Sequence, residues 1–198
     1  CEGIRQGRNY VGDGRSHLIG FQVNDTEMGV GDSSVRLDGP GKVTARVRAA
    51  AFLPEKPYPG IRDLPYDNKP YWHIERSRLG DTRDVTVEIL VNGKAAAKRT
   101  LHADGSLKDL AFEVPIERSS WVAARILPSS HTNPVWVTVA DRPVRASRRS
   151  AEWCLRGVND CWSQKEKFID KDELDDARKA YDHARNSYKR IIAESEIP

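Results

Sequence analysis

Two apolar runs joined by a short polar connection constrain the fold of this chain more than any other feature. The runs at residues 121–126 and 135–139 are rich in apolar, β-branched and aromatic side chains, and the polar segment between them contains Pro128 and Pro134. Runs that are apolar at successive positions are typical of central strands with both faces buried. The sequence therefore predicts that these two runs lie at the centre of a β-sheet.

Other strands are predicted where apolar and polar residues alternate. The clearest case is residues 84–91, which Asn92-Gly93 follows; this pair favours a type I′ hairpin turn because both turn positions need positive φ. Short strands separated by turns predict a mostly β fold, an immunoglobulin-like antiparallel β-sandwich. Besides 84–91, strands are expected at residues 17–23, 42–49, 71–75, 94–101 and 108–116, and loops at 24–41 and 52–70.

The pattern changes to helices after Pro143 and predicts a C-terminal α-helical hairpin. Residues 174–191 carry an apolar stripe at steps of three and four, which is typical of an amphipathic helix, and Asp170 with Glu173 fits a capping box before it. One helix cannot bury such a stripe alone, so we expect it to pack on the first helix, on the sandwich or on a second copy of the chain. The stripe consists of Leu174, Ala177, Tyr181, Ala184, Tyr188 and Ile191.

Charge and cysteine content narrow the classes of protein that fit. The chain has 32 basic and 29 acidic residues, a near balance that argues against a nucleic-acid partner. Its apolar runs are shorter than the roughly 18 residues of a membrane span, so no membrane partner is expected. The cysteines are Cys1, Cys154 and Cys161, an odd number that does not form a disulfide framework. The last two are expected to be free thiols in a helix interface.

Several polar residues invite a catalytic or metal-binding interpretation. His73 and Glu75 lie two apart in an expected strand, so they share a face and can bind a metal or transfer protons. An ordinary polar strand face is the alternative, because no third ligand can be named. Ser130 precedes His131, but no orienting acid or nucleophile elbow accompanies them, and His131 and Asn133 are expected to hydrogen-bond their own loop. No catalytic or metal-ligating residue is therefore assigned.

Ligand binding is an open alternative for several residues. Arg125 lies inside an apolar strand, where an unpaired charge is costly, so we expect it to pair with Glu88 or Glu113 or to bind a ligand. Trp72 and Trp136 can form a sugar-binding platform only if both are exposed together; otherwise they belong to the core or to an interface. The residues kept as candidate ligand-binding positions are Trp72, His73, Glu75, Arg125, His131 and Asn133.

Three stretches resemble the C-terminal part of PHP-like metallohydrolases of the CehA/McbA (carbaryl-hydrolase-like) kind. Residues 7–14 read GRNYVGDG, residues 85–93 read VTVEILVNG, and residues 119–139 read SSWVAARILPSSHTNPVWVTV. The first resembles the segment where that family's catalytic domain ends, and the second a hairpin of the accessory domain that follows. The similarity continues through residues 147–154 and 180–184, and so covers essentially the whole chain.

The resemblance implies a larger parent enzyme with a metal-dependent PHP-type barrel upstream that hydrolyses an ester-like or phosphoester bond. The metal ligands of that family are His, Asp and Glu residues of the barrel, and the first two form an HxH motif. This motif does not occur in the present sequence, so no ligand can be carried over. The divalent metal is expected in the catalytic domain, and no cofactor is expected in this chain.

The chain is then expected to be a non-catalytic accessory region whose partner is the upstream catalytic domain. Residues 1–16 would be the exit segment of that domain, 17–146 the β-sandwich and 147–198 a two-helix appendage, whose helix at 174–191 can also join two copies. The proline-rich loop 52–70 can cover the active-site mouth. A ligand- or carbohydrate-binding module is the second interpretation, and an independent hydrolase the third. The sequence indicates no compartment.

Overall fold

The computed structural model describes residues 1–195 and has a mostly β architecture, as the sequence predicts. Strands hold 37% of the residues and helices 28%, and the two long helices lie in the C-terminal part. The chain divides into two compact units, Cys1–Val144 and Arg145–Pro198. The strands of the first unit are β1 Tyr10–Gly12, β2 Ser16–Val23, β3 Thr26–Glu27, β4 Ser34–Leu37, β5 Gly41–Ala51, β6 Asp84–Val91, β7 Lys94–His102, β8 Lys108–Ile116, β9 Ser120–Ile126, β10 Ser130–Thr132 and β11 Val135–Val139.

Strand β9 lies at the centre of a seven-stranded sheet, which confirms the prediction for the first apolar run. It pairs with β6, β10 and β11, while β7 extends the sheet beyond β6, β1 beyond β10, and β4 beyond β11. The expectation that both faces of the two runs are buried is wrong. The inner face is closed by Val122, Val135 and Val137, but Trp136 on the outer face is 41% exposed.

The segment predicted as a loop at residues 24–41 contains two short strands. Strand β3 pairs with β2, and β4 pairs with β11 in the register Val35↔Val137. The β4–β11 ladder is parallel, whereas the other ladders of the described strands are antiparallel. A parallel partner so distant in sequence leaves no local signal, because parallel strands need a long connection rather than a hairpin.

A second sheet of four strands, in the order β3-β2-β5-β8, shares one buried core with the first. Phe21 and Val47 of the four-stranded sheet belong to the same cluster of buried side chains as Ile89 and Ile126 of the seven-stranded sheet. Burying one such side chain stabilises the fold by roughly 1.5–3 kcal/mol relative to leaving it exposed. The alternation read from the sequence therefore marks the inner faces of two layered sheets.

The proline-rich segment, which was expected to be a loop, contains one short helix, and a 3-10 helix follows it where a strand was expected. Helix α2 covers Pro59–Arg62, and a 3-10 helix covers Ile74–Ser77, so the strand expected at residues 71–75 is wrong. Arg76 donates hydrogen bonds to the backbone carbonyls of Asn68 and Pro70 at 2.6 and 2.9 Å, and also reaches those of Leu64 and Pro65. Proline has no N–H with which to form a strand ladder. The guanidinium of Arg76 instead donates to the backbone carbonyls of this segment.

The second unit contains a pair of helices, as predicted. They are α3 Arg148–Lys165 and α4 Leu174–Glu194; a four-residue helix, α1, covers Glu2–Arg5 near the start of the first unit. Helix α4 begins four residues after Asp170, so the predicted capping box does not form. Within residues 1–195, none of the helices is long and apolar enough to span a bilayer.

The two long helices are held by facing cysteine and tyrosine side chains. The Cys161 thiol lies 3.3 Å from the Tyr181 hydroxyl, and the Tyr181 ring lies 4.9 Å from that of Trp162. Hydrogen bonds with Cys161 and Cys154 raise the pKa values of Tyr181 and Tyr188, respectively. The predicted free thiols in a helix interface are thus observed, and the stripe of α4 packs on α3, where its residues are half-buried.

Candidate functional site

The structure brings three of the six candidate residues together. Arg125, His131 and Asn133 line a depression of about 400 Å³ on the outer face of the seven-stranded sheet. Trp72, His73 and Glu75 are not among the residues that line it; they follow the proline-rich segment. The candidates therefore do not form a single site, and only three of them share this depression.

Two tryptophans frame this depression. Trp121 of β9 and Trp136 of β11 are direct partners in the antiparallel ladder, so their side chains leave the same face of the sheet. The Trp121 ring lies over the hairpin turn. Its Cζ2 atom is 3.6 Å from the position that a Cβ at Gly93 would occupy. Ala123 and Leu90, a ladder pair on the same face, are buried and form the apolar floor.

Arg125 lies beside this floor in an ion pair with Glu88, which confirms the predicted structural partner. Its Nε donates to Glu88 Oε2 at 2.7 Å, and Lys98 Nζ lies 2.8 Å from Glu88 Oε1. Burial alone would raise the pKa of Glu88, but the hydrogen bonds from Lys98 and Arg125 outweigh it, so the pKa lies below its ordinary value. Arg125 is half-buried and is one of the residues that line the depression.

His131 and Asn133 lie on the side of β9 away from Glu88, in β10 and directly after it. His131 is the ladder partner of Arg125, and its Nδ1 lies 3.3 Å from the carbonyl of Thr132. A carbonyl only accepts, so this contact is a hydrogen bond when Nδ1 carries the proton. The expectation that Asn133 bonds its own loop is wrong. Its amide donates to Gly7 O at 3.0 Å and to Asn9 Oδ1 at 3.2 Å, more than a hundred residues away.

Glu75 forms a buried ion pair with Arg78. Its side chain is 1% exposed and that of Arg78 0% exposed, with Nε to Oε1 at 2.6 Å. His73 Nδ1 accepts a hydrogen bond from the Glu75 backbone at 3.1 Å and so caps the 3-10 helix. The expected shared strand face is therefore absent. Trp72 is 58% exposed beside Tyr71, at a ring-centroid distance of 6.0 Å.

The two blocks that carry the family resemblance, residues 7–14 and 119–139, pair with each other. Strand β1 forms an antiparallel ladder with β10, and the Ser16 and Ser129 hydroxyls are 2.5 Å apart in the interior. The Asp13 backbone N–H also donates to Ser129 O at 3.1 Å. The Ser129 hydroxyl thus joins two segments of the chain, whereas Ser130 Oγ, directly before His131, is buried and makes no hydrogen bond with any of residues 1–195.

Sequence reasoning missed Trp121, Ala123 and Leu90 as members of a surface. Their apolar character predicted strands with both faces buried. The register of β9 against β6 and β11 instead places these three side chains together on the outer face of the sheet. For metal binding, residues 1–195 contain no group of three or more His, Cys, Asp or Glu side chains that could hold an ion.

Comparison of the chain with protein-family models, with curated proteins and with solved structures found no match. Its function has to be argued from its residues and their geometry.

Proposed function

We propose that this chain is the non-catalytic accessory region of a larger PHP-type metal-dependent hydrolase, an immunoglobulin-like sandwich followed by a helical hairpin. The observation that carries the proposal is the interlocking of the two motif blocks, residues 7–14 and 119–139, in the β1–β10 ladder. A segment that resembles the exit of a catalytic domain is thereby built into the sheet of the domain that follows it. This joint, the β1–β10 ladder with the residues around it, would attach two domains of one enzyme rigidly to each other.

Asp13 is the central element of this joint. Its Oδ1 accepts from the Arg15 backbone at 2.8 Å, and its Oδ2 accepts from the Ile74 backbone at 2.7 Å. Its own N–H donates to Ser129 O. One acidic residue therefore links the N-terminal segment, the 3-10 helix and the loop before β10, which supports a structural use of the motif.

Close packing at Gly29 supports the same interpretation. A Cβ added there would lie 2.3 Å from the backbone nitrogen of Arg8, and Gly29 has φ +70°, so a larger residue is excluded on both grounds. Asn133 adds two hydrogen bonds to the same N-terminal segment. In the proposed parent, these contacts fix the direction in which the catalytic domain leaves the sandwich.

In this proposal the upstream domain supplies the chemistry and its divalent metal, and the present chain supplies support. The upstream domain is the partner within the same polypeptide. The apolar stripe of α4, which is only half-buried on α3, is the proposed contact between two copies of the enzyme. The proline-rich segment, held by Arg76, is proposed to lie at the rim of the catalytic domain.

The decisive experiment is to read the coding sequence upstream of Cys1 and to assay the encoded protein. We expect an HxH motif, further His, Asp and Glu residues in a barrel-like pattern, and phosphoesterase or esterase turnover that Mn²⁺ or Zn²⁺ restores after chelation. An upstream region without these residues overturns the proposal.

A second assay separates the accessory interpretation from an independent hydrolase. The 198-residue chain is incubated with p-nitrophenyl phosphate and p-nitrophenyl acetate in the presence of each metal, beside its His73→Ala variant. We expect both proteins to give the same background rate. Metal-dependent turnover that disappears in His73→Ala contradicts the non-catalytic assignment, and His183→Ala, at an exposed position of α4, serves as the matched control for the loss of another histidine.

A further inference from the structure

We infer that the depression between Trp121 and Trp136 is a binding site for a neutral saccharide. This inference does not depend on the proposed parent enzyme, since it follows from the outer face of the seven-stranded sheet alone. It differs from a platform built on Trp72, because Trp72 is not among the residues that line the depression.

Size and shape suit one or two sugar rings. The depression measures about 400 Å³, within the range of roughly 300–1,000 Å³ that small-molecule sites occupy. Trp121 and Trp136 are neighbours across the ladder and stand on an apolar floor that includes Ala123. An indole ring has a negative face, and a pyranose ring has a face of weakly positive C–H groups. Two indoles on one face therefore favour stacking against such rings.

The polar groups at the edge supply both donors and acceptors. In residues 1–195, Arg125 uses Nε for Glu88, and its terminal Nη groups make no hydrogen bond. His131, its ladder partner, offers Nε2, which makes no hydrogen bond within residues 1–195. The Asn133 amide nitrogen is occupied by two acceptors, which leaves Oδ1 as a further acceptor. A sugar with adjacent hydroxyls both donates and accepts, and this edge is complementary to it.

A neutral ligand can bind at this edge while the ion pair stays intact. Arg125 is the cation that lines the depression, and its Nε donates to Glu88 at 2.7 Å, a carboxylate that Lys98 shares at 2.8 Å. Sugar hydroxyl groups can accept from the remaining N–H donors of Arg125 without displacing Glu88. The site is thus preorganised by Glu88, which holds Arg125 in place, and by the hairpin turn under Trp121.

The test is a titration of the ¹⁵N-labelled full chain with cellohexaose, xylohexaose, mannohexaose and maltohexaose. The five indole N–H signals report each tryptophan separately. We expect at least one oligosaccharide to shift the signals of Trp121 and Trp136 in a saturable way, and the signals of Trp153 and Trp162 to stay unchanged. Calorimetry then gives the affinity.

Variants complete the test. Trp136→Ala is expected to weaken the binding about tenfold or more, since a tenfold change in Kd corresponds to ~1.4 kcal/mol, and Arg125→Leu to weaken it as well. Trp153→Ala removes a 67% exposed indole from the second unit and is the matched control. Trp72→Ala is expected to bind as the unaltered chain does. Because Trp136 is exposed, its variant should keep the unfolding midpoint.

Three outcomes overturn the inference. The first is that none of the four oligosaccharides shifts the indoles at concentrations up to about 10 mM, a limit that corresponds to a binding free energy near −3 kcal/mol. The second is binding that Trp72→Ala abolishes and Trp136→Ala leaves intact. The third is a shift of the Trp121 and Trp136 signals by decaproline alone, which would identify the depression as a groove for proline-rich peptides.

Discussion

Removing the charge of Glu75 tests whether a buried ion pair holds the proline-rich segment on the sandwich. Arg78 donates to both oxygens of this carboxylate, at 2.6 and 3.0 Å, and the Tyr58 backbone donates to Oε1 at 2.9 Å. Arg78 also donates to the carbonyls of Thr82 and Pro54 at 2.8 Å each. Both charged side chains are buried, so water cannot replace a partner that is removed.

Glu75→Gln keeps the shape of the side chain and leaves the guanidinium of Arg78 buried without a counter-charge. Removing one partner of a buried pair costs about 3–5 kcal/mol, which is a large share of the ~5–15 kcal/mol that stabilise a typical domain. With a urea dependence of about 1–3 kcal/mol per molar, the unfolding midpoint falls by roughly 1 M or more.

The assay is equilibrium unfolding of the full chain in urea, followed by far-ultraviolet circular dichroism. Asp63→Asn is the matched control, since Asp63 lies in the same segment and pairs with Arg62 at the surface, where such pairs contribute about 0–1 kcal/mol. If Glu75→Gln unfolds at the same urea concentration as Asp63→Asn, the buried pair does not hold the segment and the reasoning fails.

Three further predictions concern pH, a turn and the helical pair. The pKa of Glu88 is lowered because hydrogen bonds from Lys98 and Arg125 outweigh burial. Its contribution to stability is complete above the ordinary carboxyl pKa of about 4.3 and is lost as the pH falls through the lower folded-state pKa. The decrease in unfolding free energy on acidification should therefore be smaller in Glu88→Gln than in the unaltered chain. The same dependence of unfolding free energy on pH in both proteins refutes this. Gly93→Ala should destabilise by about 1 kcal/mol or more, since Gly93 has φ +85°, whereas Gly157→Ala inside α3 should stabilise by up to ~1 kcal/mol; equal urea midpoints contradict the assigned turn. Tyr181→Ala should lower the unfolding free energy of the helical pair by about 1–3 kcal/mol, measured from the helical circular dichroism signal on heating. The exposed Lys179→Ala should change it by close to nothing, and equal effects would mean that the Tyr181 ring does not pack on α3.

Much of the β architecture could be predicted from the sequence because its strands alternate locally. Strands β6 and β8 begin and end at the expected residues, and the turn between β6 and β7 has Asn92 at φ +51° and Gly93 at φ +85°, as a type I′ turn requires. Strand β4 was missed since its partner is distant. The strand expected at 71–75 failed because His73 caps a 3-10 helix, a contact that alternation does not encode.

The candidate site was only partly predictable for a related reason. The pairing of Arg125 with Glu88 follows from the cost of an unpaired charge, and the structure confirms it. The surface around it depends on register: Trp136 lies opposite Trp121 only because β11 runs antiparallel to β9 at that offset. Composition cannot distinguish a sheet face that is covered from one that is open. The fold limits which residues can meet, and the register determines which of them do.

The parallel pairing of β4 with β11 also sets an order in time. Strand β4 is synthesised about a hundred residues before β11, and β1 waits a similar distance for β10. At roughly 5–20 residues per second, the delay is about 5–20 s. During this interval the backbone donors and acceptors of both strands lack the ladder partners that they have in the finished sheet. Strands β1 and β4, the first two strands of the seven-stranded sheet in chain order, are therefore among the last to join it, and the sheet can be completed only after residues 130–139 have been synthesised.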